Sequence, residues 1–321
     1  MLGSKFYCGA AIVLVSAATA VRANAQESFT SFDPAGSTYT FAAGINESGT
    51  VAGYYQDSRE AGHGFLRTSD GKITTFDPNG SIFTEATGIN DKGEIAGWYR
   101  DESGTFYSFV RGTDGTIKTF NPTQGYEPGT VGLNAKGKVA GWYMNGNGQA
   151  GFVGAPEGKI KQLTVGGMAV NTKGAVTGTD GTEGFVRAPS GNMVTFKGPN
   201  DPDKTIPTGI NDSGVVAGYA ETVCGIGYGF ERNAAGDVTA VGPGDSYYTW
   251  VMGLNDKGAL TGYYYYGGYQ GFVRDSAGAY TTFSISGATG GTYPQAISKK
   301  GEVAGGYRDG NNVLHGFVGT P

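Results

Sequence analysis

One phrase returns seven times along this chain, Gly-Ile-Asn-x-x-Gly-x-Val-Ala-Gly-Tyr in its fullest form, so the fold must accommodate seven copies of a single unit. The phrase's Asn falls at Asn46, Asn90, Asn134, Asn171, Asn211 and Asn255, with Ser298 in its place in the seventh copy, giving steps of 44, 44, 37, 40, 44 and 43 residues. A period of about 40–45 residues is that of a propeller blade of four strands.

The second copy shows how a unit divides. Ala86-Thr87-Gly88-Ile89-Asn90 reads as a first, apolar strand, and Asn90-Asp91-Lys92-Gly93 as a turn with its glycine where φ can be positive. Glu94–Tyr99 alternates as a second strand, Tyr107–Arg111 makes a third, and Thr113-Asp114-Gly115 turns into a fourth, Thr116–Phe120. No segment has helical spacing. The 59 glycines are more than twice the usual ~7 % and recur at turns rather than in tracts, which is the signature of folded β-structure and not of a linker.

The two ends of the array complement each other. A third-strand phenylalanine occurs in every copy, at Phe65, Phe109, Phe152, Phe185, Phe230, Phe272 and Phe317, but the chain stops at Pro321 with no fourth strand after the last. Phe29-Thr30-Ser31-Phe32-Asp33-Pro34 is a fourth strand with no unit before it, matching Thr74-Thr75-Phe76-Asp77-Pro78. Adding it to the last unit would remove the open edges of a linear array. The expectation is therefore an all-β, seven-bladed β-propeller of four-stranded antiparallel blades, closed by the N-terminal strand joining the last blade, three strands plus one.

Residues 1–25 read as a secretory signal peptide rather than as part of the domain. Lys5 precedes an apolar run from Gly9 to Val21, and Ala23-Asn24-Ala25 is a small-x-small cleavage site. The run is too short to span a bilayer, and no later segment approaches ~20 apolar residues. The mature domain, 26–321, is expected to be secreted or periplasmic and a monomer. With Cys8 in the leader it is expected to have no internal disulfide. Loss of Lys5 and Arg22 takes the formal charge from −5 to −7, which argues against nucleic acid or an anionic membrane as partner.

The repeated phrase, with a downstream His-Gly-Phe at His63-Gly64-Phe65 and His315-Gly316-Phe317, resembles the extracellular HAF repeat family over about residues 29–319. The other copies carry Tyr107, Ala150, Glu183, Tyr228 and Gln270 at the His position, and glycine replaces the family's alanine in most. The resemblance implies a secreted bacterial repeat protein and brings no catalytic residue with it.

A residue repeated in every unit is selected by the unit. The Asn series is expected to cap its turn, and the aromatics after Ala-Gly, namely Tyr54, Trp98, Trp142, Tyr219 and Tyr263, to fill space between units. Departures from the repeat are the better place to seek function. His63 and His315, equivalent residues of units that ring closure makes neighbours, would lie about 12 Å or more apart on third strands, two ~4.8 Å spacings outside the innermost one. Zinc ligation requires nitrogens near ~2.1 Å from the metal, so no metal or other cofactor is expected.

Loop lengths point to one working face. The connections between second and third strands, and from one unit to the next, vary, and all lie at the end opposite the short Asn turns. Aligning the crossings on the repeat gathers Tyr39, Phe41, Phe83, Glu85, Glu127, Lys204, Tyr248, Trp250 and Tyr293 just before the first strands begin, with Tyr126, Tyr247, the run Tyr263–Tyr266 and Tyr269 nearby. Aromatic faces beside a few carboxylates suit stacking on sugars, and equally a protein surface. The expected function is a non-catalytic exported binding or scaffold protein whose ligand is a carbohydrate or a cell-surface partner. The alternative is a polysaccharide hydrolase or lyase with Glu85 and Glu127 as acid and base, two carboxylates that would need to lie ~5 to 9.5 Å apart.

Overall fold

The Asn-x-x-Gly turns close where the repeat places them, and they set the length of everything between. In the second repeat the Gly93 N–H donates to Asn90 O at 2.9 Å and the Asn90 N–H to Glu94 O at 3.0 Å, with Gly93 at φ +86°. The computed structural model describes residues 28–321 except 147, 245 and 247. The expected leader and Tyr247 lie outside them.

Among the described residues every element is a strand and none is a helix. In the first repeat Tyr39–Ile45, Val51–Gln56, Gly62–Arg67 and Ile73–Phe76 pair in that order as an antiparallel meander. The second repeat does the same with Ser81–Ile89, Ile95–Asp101, Phe106–Arg111 and Ile117–Phe120, and a single parallel contact, Gly62 to Phe83, joins the two sets. Four-stranded sheets follow for each later repeat. In the last, Gly291–Ile297, Val303–Arg308 and Leu314–Thr320 are completed by the N-terminal strand Ser28–Phe32, paired from Ser28 opposite Thr320 to Phe32 opposite Gly316. The architecture is all-β and propeller-like.

The first strands correct the sequence reading. That of the second repeat begins at Ser81, not at Ala86, because pairing with the second strand continues through Phe83 opposite Arg100 and Glu85 opposite Trp98. Tyr39, Phe83, Glu85, Lys204, Trp250 and Tyr293, expected before the first strands begin, therefore stand on them, while Tyr126, Glu127 and Tyr248 precede theirs. Between Ala86 and Gly88 the register slips by a bulge, as it does at Ala42/Gly44, Pro207/Gly209 and Val251/Gly253. This bulge explains the glycine of Val-Ala-Gly: a Cβ on Gly262 would lie 1.9 Å from Trp250 O, and one on Gly97 2.0 Å from Glu85 O.

The core runs between sheets. All seven third-strand phenylalanines are fully buried. Each of Phe76, Phe120, Phe196 and Phe283, on fourth strands, meets the third-strand ring of the next repeat edge-on, at centroid distances of 5.7–6.4 Å. Phe32 of the N-terminal strand meets Phe65 in the same way at 5.7 Å. The arginine of Gly-Phe-Val-Arg covers the same rings, with Arg111 over Phe76 at 5.0 Å and Arg67 over Phe32 at 5.1 Å. Cys224 is disulfide-bonded, and among the described residues no cysteine is free.

Candidate functional site

In four of the repeats two side chains stand side by side, because the residue five before the Asn and the one after Ala-Gly are opposite each other in register. The pairs are Phe41 and Tyr54, Glu85 and Trp98, Ile206 and Tyr219, Trp250 and Tyr263. Their rings pack on each other, Phe41 on Tyr54 at 5.5 Å and Trp250 on Tyr263, stacked, at 5.2 Å. In the seventh repeat the partner of Tyr293 is Gly306, where the other repeats carry an aromatic ring or, in the fourth, Thr179.

A cavity of about 480 Å³ opens there. Its floor at the gap is Gly306 with Leu314 behind, where even a Cβ would come within 3.0 Å of Leu314 Cδ1. One wall is aromatic: Trp250, Tyr263 and Tyr269 of the sixth repeat and Tyr293 of the seventh, with Tyr269 5.4 Å from Tyr293 and Tyr263 5.2 Å from Tyr293. Tyr39, Phe41 and Tyr219 extend it. Polar groups enter from second strands and from the first strand of the seventh repeat, as Glu221, Arg308 and Gln295. All of these residues sit toward the loop-rich end of the sheets, opposite the Asn turns.

Burial controls the protonation of this wall. Removal from water, and then the charge of Glu221, pushes the Tyr219 phenol up to about 12. Tyr263 is raised further by burial and by neighbouring phenols. Both remain protonated at neutral pH, so they offer O–H donors as well as ring faces. The Trp250 Nε1–H donates toward Glu221 Oε1 at 3.5 Å, and Arg308 Nη1 donates to Asn312 O at 2.9 Å. Among the described residues neither Glu221 nor Arg308 has an ion-pair partner.

Of the residues singled out from sequence at this end of the repeats, Tyr39, Phe41, Trp250, Tyr263, Tyr269 and Tyr293 line this cavity, and Tyr248 stacks on Trp250 at 6.1 Å. The others do not line it. Phe83 stacks on Trp98 at 5.7 Å, Tyr126 stacks on Tyr143 at 6.2 Å, and Lys204 is exposed at the start of its strand. Glu85 faces inward on the second repeat. Its carboxyl is pushed up to about 7, first by burial and then by the charge of Glu127; the adjacent Trp98 indole opposes this only in part, and its buried Nε1 has no hydrogen-bond partner. Tyr219 and Tyr263, read as packing between units, are instead walls of the cavity. Glu221, Gln295, Arg308 and Leu314 were not singled out. The signal that could have found them was Gly306, the one glycine where the repeat otherwise carries an aromatic or Thr179.

The histidines have a different task. His63 Nδ1 is 2.8 Å from Asp77 Oδ2 and His315 Nδ1 is 2.7 Å from Asp33 Oδ2, so each holds the Asp-Pro that follows its own sheet's outer strand. Among the described residues no group of three or more His, Cys, Asp or Glu is placed to hold a metal ion.

No protein-family model matches the chain, and no curated protein is similar to it. Solved structures are. Virginiamycin B lyase from Staphylococcus aureus superposes with a TM-score of 0.63 at 15% identity, over 92% of this chain and 100% of that one. A streptogramin B lyase gives 0.60 at 13% identity over 92% and 98%, and TolB from Acinetobacter baumannii 0.53 at 11% over 74% and 63%. At these identities the likeness is one of fold.

Proposed function

We propose that this is an exported saccharide-binding protein of the HAF repeat type, a closed seven-bladed propeller that holds its ligand at the loop-rich mouth of the ring. The observation that carries the binding role is the 480 Å³ cavity, whose aromatic wall faces Glu221, Gln295 and Arg308. Tyr and Trp rings present an apolar face to the C–H side of a sugar while carboxylate, amide and guanidinium take its hydroxyls. Closure is supported by Phe32 and Arg67, which repeat across the chain ends the contacts that Phe76 and Arg111 make between the first two repeats. Export rests on the leader-like residues 1–25, with the mature chain beginning near Gln26 in the periplasm or outside the cell.

A glycan array, followed by titration of hits with isothermal titration calorimetry, tests the binding role. Saturable binding is expected, lost in Trp250→Ala and kept in Tyr126→Ala, whose ring lies outside the cavity. A silent array, or a folded Trp250→Ala that binds like the parent, would sink it.

One observation favours a second reading. A carboxyl held near 7 beside another carboxylate is the arrangement of a general acid with its partner. In hydrolysis Glu85 would give its proton to the glycosidic oxygen as the C–O bond breaks, while Glu127 would take one from the attacking water. Turnover on that route should fall as pH rises through about 7, where Glu85 loses its proton. Release of reducing ends from a bound polysaccharide that is unaffected by Glu85→Gln and Glu127→Gln would remove both residues from any mechanism.

A further inference from the structure

The cavity's two charged groups occupy one position in the repeat. Glu221 and Arg308 each stand three residues after the Val-Ala-Gly glycine, Gly218 and Gly305, at the ends of Val216–Glu221 and Val303–Arg308. The sixth repeat, with its aromatic wall, lies between them. They are therefore held on opposite sides of that wall by paired strands, not by loops. Neither neutralises the other, since no ion pair joins them.

Arg308 is the odd member of the set. In a chain of formal charge −5 it enters a half-buried site without a carboxylate partner among the described residues, and its one strong hydrogen bond, Nη1 to Asn312 O at 2.9 Å, leaves the rest of the guanidinium fork unused. A half-buried guanidinium with free N–H donors and no counter-charge is open to an anion, and its fork matches a carboxylate in two parallel hydrogen bonds. The opening over Gly306 lies two residues from it along the same strand. Glu221 accepts from the neutral Trp250 Nε1–H at 3.5 Å and keeps its charge, so its remaining oxygen suits hydroxyl donors.

Resting on the saccharide reading above, we infer that the cavity selects an anionic sugar, its carboxylate on Arg308 over Gly306, its ring on the Trp250, Tyr263 and Tyr293 wall, and its hydroxyls on Glu221. The ligand class is a uronic acid within a glycan chain.

The test compares glucuronate-containing and neutral glucose oligosaccharides of equal length, titrated against the full chain by isothermal titration calorimetry at low and high salt. The uronate should bind about tenfold or more tightly, as a charge-assisted pair warrants. That preference should shrink with salt and vanish in Arg308→Gln, while Arg308→Lys keeps part of it and Trp250→Ala removes binding of both sugars. Equal affinity for the two sugars, or a preference that survives in folded Arg308→Gln, overturns the anionic selection and leaves saccharide binding intact. Binding of neither sugar by a chain with a native circular dichroism spectrum overturns both.

Discussion

Asn134 makes three hydrogen bonds with one side chain. Its Oδ1 accepts from the backbone N–H groups of Lys136 and Lys138, both at 2.9 Å, and its Nδ2 donates to Asn171 O of the next repeat at 2.7 Å. The first role was legible from sequence, since an Asn opening a turn caps it through its own amide. The second was not, because it depends on the next turn arriving at the same height. The same link runs from Asn46 to Asn90, Asn90 to Asn134, Asn171 to Asn211, Asn211 to Asn255 and Asn255 to Ser298. Asn134→Asp separates the two roles, for it keeps the capping oxygen and sets an oxygen against Asn171 O. It should cost about 1–3 kcal/mol in urea unfolding, and Asn134→Ala more, since two capped backbone donors are then also left without their acceptor. An Asp variant as stable as the parent would mean that the link contributes nothing.

Among the elements, the outer strand of the last sheet has a hold that depends on pH. His315 bonds Asp33 at 2.7 Å, lies 3.6 Å from Asp309 through Nε2, and stacks on Tyr307 at 5.2 Å. Burial alone would lower its pKa, but the hydrogen bond and charge of Asp33, joined by Asp309, outweigh it and raise the value above the ordinary 6.5. A cation favoured in the folded state contributes stability in full below pH ~6.5, and the contribution is lost as pH rises through the folded value. The parent should thus lose stability relative to His315→Gln between pH 5.5 and pH 8.5, read as a converging difference in urea midpoint. Curves that stay parallel would remove the pair from the closing contacts. The number and kind of elements were readable from alternation and turn glycines. Their extents were not, because the first strands run on only as far as a second strand is present to pair with them, as Ser81–Asp101 shows.

For the whole molecule, the seam between first and last repeats is the decisive contact. Ser298 accepts from the Glu302 N–H at 3.1 Å but has no amide to reach Asn46, so the Asn chain stops there. Lys299, beside it, bonds Glu47, Asp91 at 3.0 Å and Asp256 at 3.3 Å, residues of the first, second and sixth repeats, and so bridges across the end of the Asn chain. If the ring closes as proposed, deleting Ser28–Pro34 exposes Phe65 and Phe317, removes Phe32 and the Asp33 clasp, and leaves the outer edge of Leu314–Thr320 unpaired. Loss of one buried Phe alone costs about 3–5 kcal/mol, so the truncated chain should melt well below the intact one. Equal melting temperatures would reject closure by this strand.

Seven copies, four short strands in each and a spare strand at the N-terminus are properties of the sequence alone, since periodicity, alternation and turn chemistry act within a few residues of each position. So was the gathering of Tyr39, Trp250 and Tyr293 at one end of the repeats, where all three line the cavity. Which of those residues meet was decided by tertiary structure. Bulged pairing put Trp250 opposite Tyr263 and left Gly306 opposite Tyr293, and the packing of neighbouring sheets brought Glu221 and Arg308, 87 residues apart in the chain, to one cavity. Such a site is a relation between repeats, and a relation has no local signature beyond the single residue that breaks the pattern.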